Sequence, residues 1–209
     1  INDFSRGRMD ATYKELTEER DGVKVYHPRF PVIPKVGMTI APTLLALWTM
    51  PTVRRVLANM GPFDVIDAHY FYPDGVAAVL LGLWFNKPVV ITGRGTDLNL
   101  IPKYAAPRAQ IRWAASRAAQ IATVSESLRR VLTDLEVPEA KTRTLRNGVD
   151  LDAFVPLGDR KQLRSESGIT GPSLLTVGHL IERKGHHLVI KALARLPEEV
   201  ELRIAGDGP

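Results

Sequence analysis

The chain of 209 residues contains no cysteine. That absence removes disulfides, thiolate metal sites and cysteine nucleophiles, and it is compatible with a reducing, cytoplasmic setting. Long apolar runs are missing too. The two longest, 41–48 and 76–85, fall well short of the roughly 20 residues that a membrane-spanning helix needs. The opening INDFSRGRMD has no cationic-then-apolar leader pattern and no initiator methionine, so it reads like a chain entered midway. Motifs of three large enzyme classes are also lacking. GRGTDL and GDGP begin as G-x-G but do not continue to the dinucleotide fingerprint, which argues against a hydride-transferring oxidoreductase. Neither a phosphate loop ending in G-K-[ST] nor a G-x-S-x-G nucleophile elbow occurs. Repeats and low-complexity runs are absent.

What is present describes an ordinary water-soluble chain. Hydrophobic residues make up 44% and charged residues 24%, and the length suits one large domain or one and a half. The formal charge of +5 fits an anionic small molecule, a membrane surface or nucleic acid without choosing among them. The positive charge is concentrated. Between Lys103 and Arg146 nine lysines and arginines face four acids. On a helix expected over 104–119, Arg108 and Arg112 share a face while Arg117 lies away from it.

Strand-like runs at 63–69, 87–94, 120–125 and 142–149 alternate with helix-like runs at 74–85, 104–119 and 126–135. Such alternation implies βαβ units and a parallel sheet. Upstream, 21–28 reads as a turn and a short strand, and 41–60 as a helix interrupted or restarted at Pro51. These elements give an expected first domain over 1–150. Residues 151–172 carry Pro156, Gly158, Gly168, Gly171 and Pro172 and are expected to form a linker. A strand at 173–178, a helix from His186 to Leu196 and a strand at 200–206 then begin a second domain over 173–209. One βαβ unit cannot bury both faces of its own sheet, so this domain is expected to be truncated.

In an open parallel sheet, ligands bind at the carboxyl ends of the strands. That rule selects His69, the stretch Arg94–Asp97, Ser125 with Glu126, Asn147 to Asp150, and Gly178 to Lys184. Each has a plain structural alternative. His69 can be a satisfied strand-end histidine, and Asp97 can cap the turn after GRGT. Ser125 fits a helix N-cap, and Asn147-Gly148 is a ready turn pair. The junction VGHLIERKGHH, 177–187, is different. It sets Arg183 and Lys184 at a helix start, where cations oppose the helix dipole, and a bound phosphate would relieve that conflict. Metal signals are weak. Asp150-x-Asp152 sits at a domain crossing and reads as structural. The adjacent His186 and His187 diverge on a helix and make a poor ligand pair.

The segments FDVIDAHYFYPDGVAA, VVITGRGTDLN, IATVSESL, LRNGVDLDAF, LLTVGHLIERKGHHLVIKAL and LRIAGDGP, in this order, resemble family 4 of the retaining glycosyltransferases. The likeness covers the chain from about Asp64 onward, and 1–62 look like the variable acceptor-side part of the same domain. The resemblance implies an α/β GT-B fold, two Rossmann-like parallel-sheet domains of which the second is truncated. It also implies an internal fragment, inactive on its own. Family members open with a further strand, glycine-rich loop and helix, and continue beyond AGDGP through a Glu-x7-Glu segment that handles the donor.

Carried over by position, His69 matches the histidine beside the transferring sugar, and Lys184 matches the lysine on the donor diphosphate. Gly178 matches the glycine after the first strand of the second domain. The family usually has arginine directly after that glycine, whereas this chain has His179. Either the diphosphate holds His179 protonated or Arg183 supplies the second cation. Asp97, Ser125, Asn147 and Gly148 match positions on the cleft or acceptor side.

The implied activity is transfer of a sugar, with retention, from a nucleotide-diphosphate donor to a glycan, lipid-linked or glycolipid acceptor. No metal and no further cofactor are implied, and no nucleic-acid partner. A cytoplasmic protein is expected, with a peripheral contact at the inner face of the membrane through the basic 103–146 region. The same fold also serves sugar-nucleotide epimerases and phosphorylase-like enzymes. A non-catalytic sugar-nucleotide-binding module is the alternative from another class.

Overall fold

Along the strand Val89–Gly93, Val89, Ile91 and Gly93 are buried while Val90 and Thr92 are only half-buried. That alternation sets the architecture of the first of two units. The computed structural model describes residues 17–31, 37–156 and 158–208, and the chain divides into compact units at Gly148/Val149.

The described part of the first unit opens with an antiparallel hairpin, β1 (Thr17–Arg20) and β2 (Val23–Tyr26), turning through Asp21-Gly22. Helix α1 (Gly37–Met60) follows. β3 (Ile66–His69), β4 (Val89–Gly93), β5 (Gln120–Thr123) and β6 (Thr142–Thr144) form a parallel sheet in that order. They are linked by α2 (Val76–Phe85), by α3 (Thr96–Asn99) with α4 (Ala105–Arg117), and by α5 (Glu126–Asp134). Strands paired in sequence order with right-handed crossovers must place every connecting helix on the same face. The core obeys this. Ala68, Val89, Ile91 and Ile121 of the strands pack with Val79 of α2, Ile111 and Ala114 of α4, and Leu128 and Leu132 of α5. On the opposite face Val65 is 48% and Leu145 63% exposed. A parallel sheet usually hides both faces; this one is bare on one side among the described residues.

Two sequence expectations change here. Helix α1 runs unbroken through Pro42 and Pro51 rather than being interrupted or restarted at Pro51. The ring of Pro51 removes one bond to the carbonyl four residues earlier, on Leu47, and both residues lie on the exposed side, where water can serve that carbonyl. The other face of α1 is held by Ala46 packed with Ala77 and Leu81 of α2. The second change is at the sheet edge: β6 ends at Thr144 rather than near 149. Leu145 still donates to Thr123 O at 2.9 Å, and the chain then leaves the sheet.

The second unit contains α6 (Arg160–Glu166), β7 (Ser173–Val177), α7 (His186–Leu193) and β8 (Glu201–Ala205), with β7 and β8 parallel. Helix α6 lies inside the stretch read from sequence as a linker. Asp159 caps it by accepting from Lys161 N at 2.8 Å, Arg164 donates to Gly171 O, and Arg203 of β8 donates to Ser167 O at 3.0 Å. The sheet of this unit is thinly covered, with Leu175 68% and Val177 72% exposed.

Candidate functional site

At the carboxyl edge of the first sheet the organising group is Asp97, whose side chain is completely buried. Its carboxylate accepts from Phe71 N at 2.7 Å, Gly95 N at 2.6 Å and Arg94 N at 3.1 Å. A charge can be buried when several N–H groups are directed at it. Here that clasp ties the turn after β3 to the turn after β4. The turn itself needs glycine twice. Gly95 has φ +155°, and a Cβ on Gly93 would sit 2.5 Å from Leu98 Cδ1.

His69 ends β3, and Arg94 follows β4. The Arg94 guanidinium lies 2.6 Å from His69 Nδ1, and His69 Nε2 lies 3.2 Å from Asp67 Oδ2. A guanidinium only donates, so Nδ1 accepts, and Nε2 carries the hydrogen and donates to Asp67. The ring is therefore oriented from both sides. Asp67, His69, Arg94, Arg146, Asn147 and Gly148 line the polar end of a concavity of about 520 Å³. Its apolar end runs along the bare face past Val65 and Val90.

Of the residues expected at this edge, His69, Asn147 and Gly148 come together at the concavity and Asp97 lies buried beneath it. Ser125 is not among the lining residues; its hydroxyl accepts from Leu128 N at 3.3 Å as the N-cap of α5. The neighbouring Glu126 bridges Arg129 and Thr144, and those two hydrogen bonds, Arg129's first, hold its carboxyl below the usual range. Asp67 and Arg94 were not singled out as a pair with His69. The available signal was alternation, since Asp67 and His69 are two apart on a strand and share a face.

The second unit builds its edge from glycine. Gly178, with φ +149°, ends β7, and Gly206 lies against it so closely that a Cβ there would fall 1.9 Å from Gly178 O. Gly178 N donates to Ala205 O at 3.0 Å, and Leu180 N to Asp207 O at 2.8 Å. Arg183 and Lys184 lie in a 3-10 turn, Glu182–Lys184, which passes through left-handed Gly185 into α7. The Lys184 side chain folds back over Gly178, its Cδ 3.7 Å from where a Cβ would stand. His186 is buried beneath the loop, with Nδ1 3.1 Å from Thr176 Oγ1 and Nε2 3.1 Å from His179 O. Both ring nitrogens are thus occupied in pinning the loop, a role that the sequence pattern did not reveal. Gly178, His179, Arg183 and Lys184 all fall in this one junction.

The remaining sequence candidates have structural partners. Asp150 Oδ1 accepts from Asp152 N at 2.9 Å and from Ala153 N at 3.0 Å, a side-chain turn. Among the described residues no cluster of three or more His, Cys, Asp or Glu is placed to hold a metal, and no helix is long and apolar enough to cross a membrane. Much of the basic 103–146 stretch bonds to the protein itself. Arg112 pairs with Glu136, Arg117 stacks on Trp113 at 4.7 Å, and Lys141 Nζ donates to Ser116 O and Ala118 O at 2.8 and 3.0 Å.

Residues 9–153 match the family described as Glycosyltransferase Family 4. A D-inositol 3-phosphate glycosyltransferase of Jonesia denitrificans is 28% identical over an alignment covering 92% of this chain and 49% of that protein. Among solved structures, the sucrose-phosphate synthase of Thermosynechococcus elongatus superposes with a TM-score of 0.69 at 18% identity, over 93% of this chain and 50% of that one. The Anabaena protein Alr3699/HepE, solved in complex with UDP, gives 0.66 at 20% identity, over 86% and 47%. At these identities the two structures establish a shared fold. The chain spans about half the length of each of these three proteins.

Proposed function

This chain belongs to Glycosyltransferase Family 4, with two Rossmann-like parallel sheets, the second smaller, and from that premise we propose that the intact protein transfers a sugar with retention from a nucleotide-diphosphate donor. The acceptor is a glycan, a lipid-linked sugar or a glycolipid. One observation carries the proposal: two glycines in backbone contact, Gly178 and Gly206, with Lys184 folded over Gly178. Glycines let a diphosphate approach the main chain, and the ammonium offsets its charge.

In the transfer, the acceptor hydroxyl attacks the anomeric carbon from the face that the diphosphate leaves. The carbon–oxygen bond to phosphate breaks, the nucleoside diphosphate departs with the electron pair, and its phosphate oxygen takes the acceptor proton. Charge grows on that oxygen as the bond breaks, so cations placed there act mainly in the transition state. Lys184 supplies one, and His179 or Arg183 the second. His69 stands on the acceptor side beside the transferring sugar, its ring oriented by Asp67 and Arg94. The protein works at the cytoplasmic side, and the basic 103–146 stretch provides a peripheral membrane contact. Flotation on anionic against neutral liposomes tests that contact, and flotation indifferent to lipid charge and to salt would remove it. Incubating the intact protein with labelled nucleotide sugars tests the reaction. A glycoside with the donor's anomeric configuration is expected, and release of an isomerised nucleotide sugar instead would identify an epimerase.

A further inference from the structure

Arg94 and Arg146 line the concavity on the first unit against a single acid, Asp67. That acid bonds the ring of His69 rather than either guanidinium, and neither arginine forms an ion pair among the described residues. Arg94 is not a loose surface cation. Both oxygens of the buried Asp97 clasp its backbone N–H at 3.1 Å, and its guanidinium Nη2 is seated on His69 Nδ1. The histidine uses one of the five N–H groups of the guanidinium. The others have no protein acceptor among the described residues. A planar cation fixed in place with spare parallel donors matches an oxyanion, which it can bind through two bonds at once. Val90, Val124 and Leu145 add apolar lining to the same concavity. A neutral sugar offers nothing that would call for two unneutralised arginines.

We infer that this concavity binds a ligand carrying a carboxylate or a phosphate, and that Arg94 and Arg146 are the groups that recognise it. If the proposed sugar transfer holds, the ligand is an acidic or phosphorylated acceptor, and that clause alone rests on it. His69 and Asp67 then act as positioning residues for the guanidinium as well as for the sugar side.

Calorimetric titration of the intact protein, without nucleotide, with glucuronate, glucose 6-phosphate and glucose tests the inference. At least one acid is expected to bind about tenfold or more tightly than glucose, as a charge-assisted bidentate pair should. Preference for glucuronate identifies a carboxylate ligand, and preference for glucose 6-phosphate a phosphate. The advantage should be lost in Arg94→Met and in Arg146→Met, be partly kept in Arg94→Lys, and be untouched by Lys184→Ala. Arg146→Met serves as an independent arm should Arg94→Met lower the melting temperature. Equal binding of acids and glucose, an advantage surviving both methionine variants, or acid binding lost only in Lys184→Ala would each overturn the inference. Transfer that persists in Lys184→Ala would overturn the diphosphate assignment of the previous section and leave the acid site standing.

Discussion

The two units solve the same problem, holding a loop at the carboxyl end of a parallel strand, in opposite ways. In the first, a fully buried carboxylate, Asp97, gathers three backbone N–H groups over a continuous apolar core. In the second, the loop is held by backbone touching backbone at Gly178 and Gly206 and by one buried imidazole, His186, while β7 stays largely exposed. The first edge depends on a charge being present. The second depends on side chains being absent. The difference fits the work proposed for each, since a diphosphate needs bare main chain, whereas the acceptor side needs side chains, Arg94 and His69 among them, in fixed positions.

Gly206→Ala should break the second edge most severely. Its Cβ would fall 1.9 Å from Gly178 O, and with backbone on both sides the clash costs about 3 kcal/mol or more. Hydrogen exchange should show protection lost at Gly178 and Leu180 while β4 and β5 keep theirs; protection retained at Gly178 would mean that the contact is not needed. Asp97→Ala is the matching test of the first edge. It leaves the N–H groups of Phe71, Arg94 and Gly95 without their acceptor, a loss of roughly 2–3 kcal/mol. A lower melting point of the first unit, with the second unit's exchange unchanged, is the expected result.

A smaller effect separates the units by pH. Tyr72 is 3% exposed, donates to Met38 O, and burial pushes its phenol from 10.0 up to about 12. Its folded form holds the proton more tightly than the unfolded chain does. The stability this gives is therefore complete below pH 10 and is lost as pH rises from 10 towards 12. The loss is no more than about 3 kcal/mol, and denaturant melts across that window measure it. Tyr72→Phe should flatten the alkaline decline of the first unit; an equal decline in the variant would assign it to other groups.

Local signals were legible in the sequence. The alternation in VVITG and the helical period of ESLRRVLTD give β4 and α5 close to their observed bounds, and Ser125 caps the helix as its position before Glu126 predicts. The glycines and cations of 178–184 marked the second edge because their spacing is itself the local structure. What escaped was non-local. Asp97 meets Phe71 across 26 residues and Arg94 meets His69 across 25, pairings that exist only once β3 and β4 lie side by side. The bare face of the first sheet follows from strand order, which alternating β and α segments do not specify. Pro51 misled because helix breaking is a local rule, and packing of Ala46 against α2 overrides it.

The central claim is that the Gly178–Lys184 junction holds the diphosphate of a sugar donor. Transfer by the intact protein from a panel of labelled nucleotide sugars, compared with Lys184→Ala, tests it most directly. A fall in turnover of about a hundredfold, as expected for removing a cation that acts on the leaving group, with an unchanged melting temperature, is the predicted result. Turnover equal to that of the unaltered protein would contradict the claim and move the donor site elsewhere.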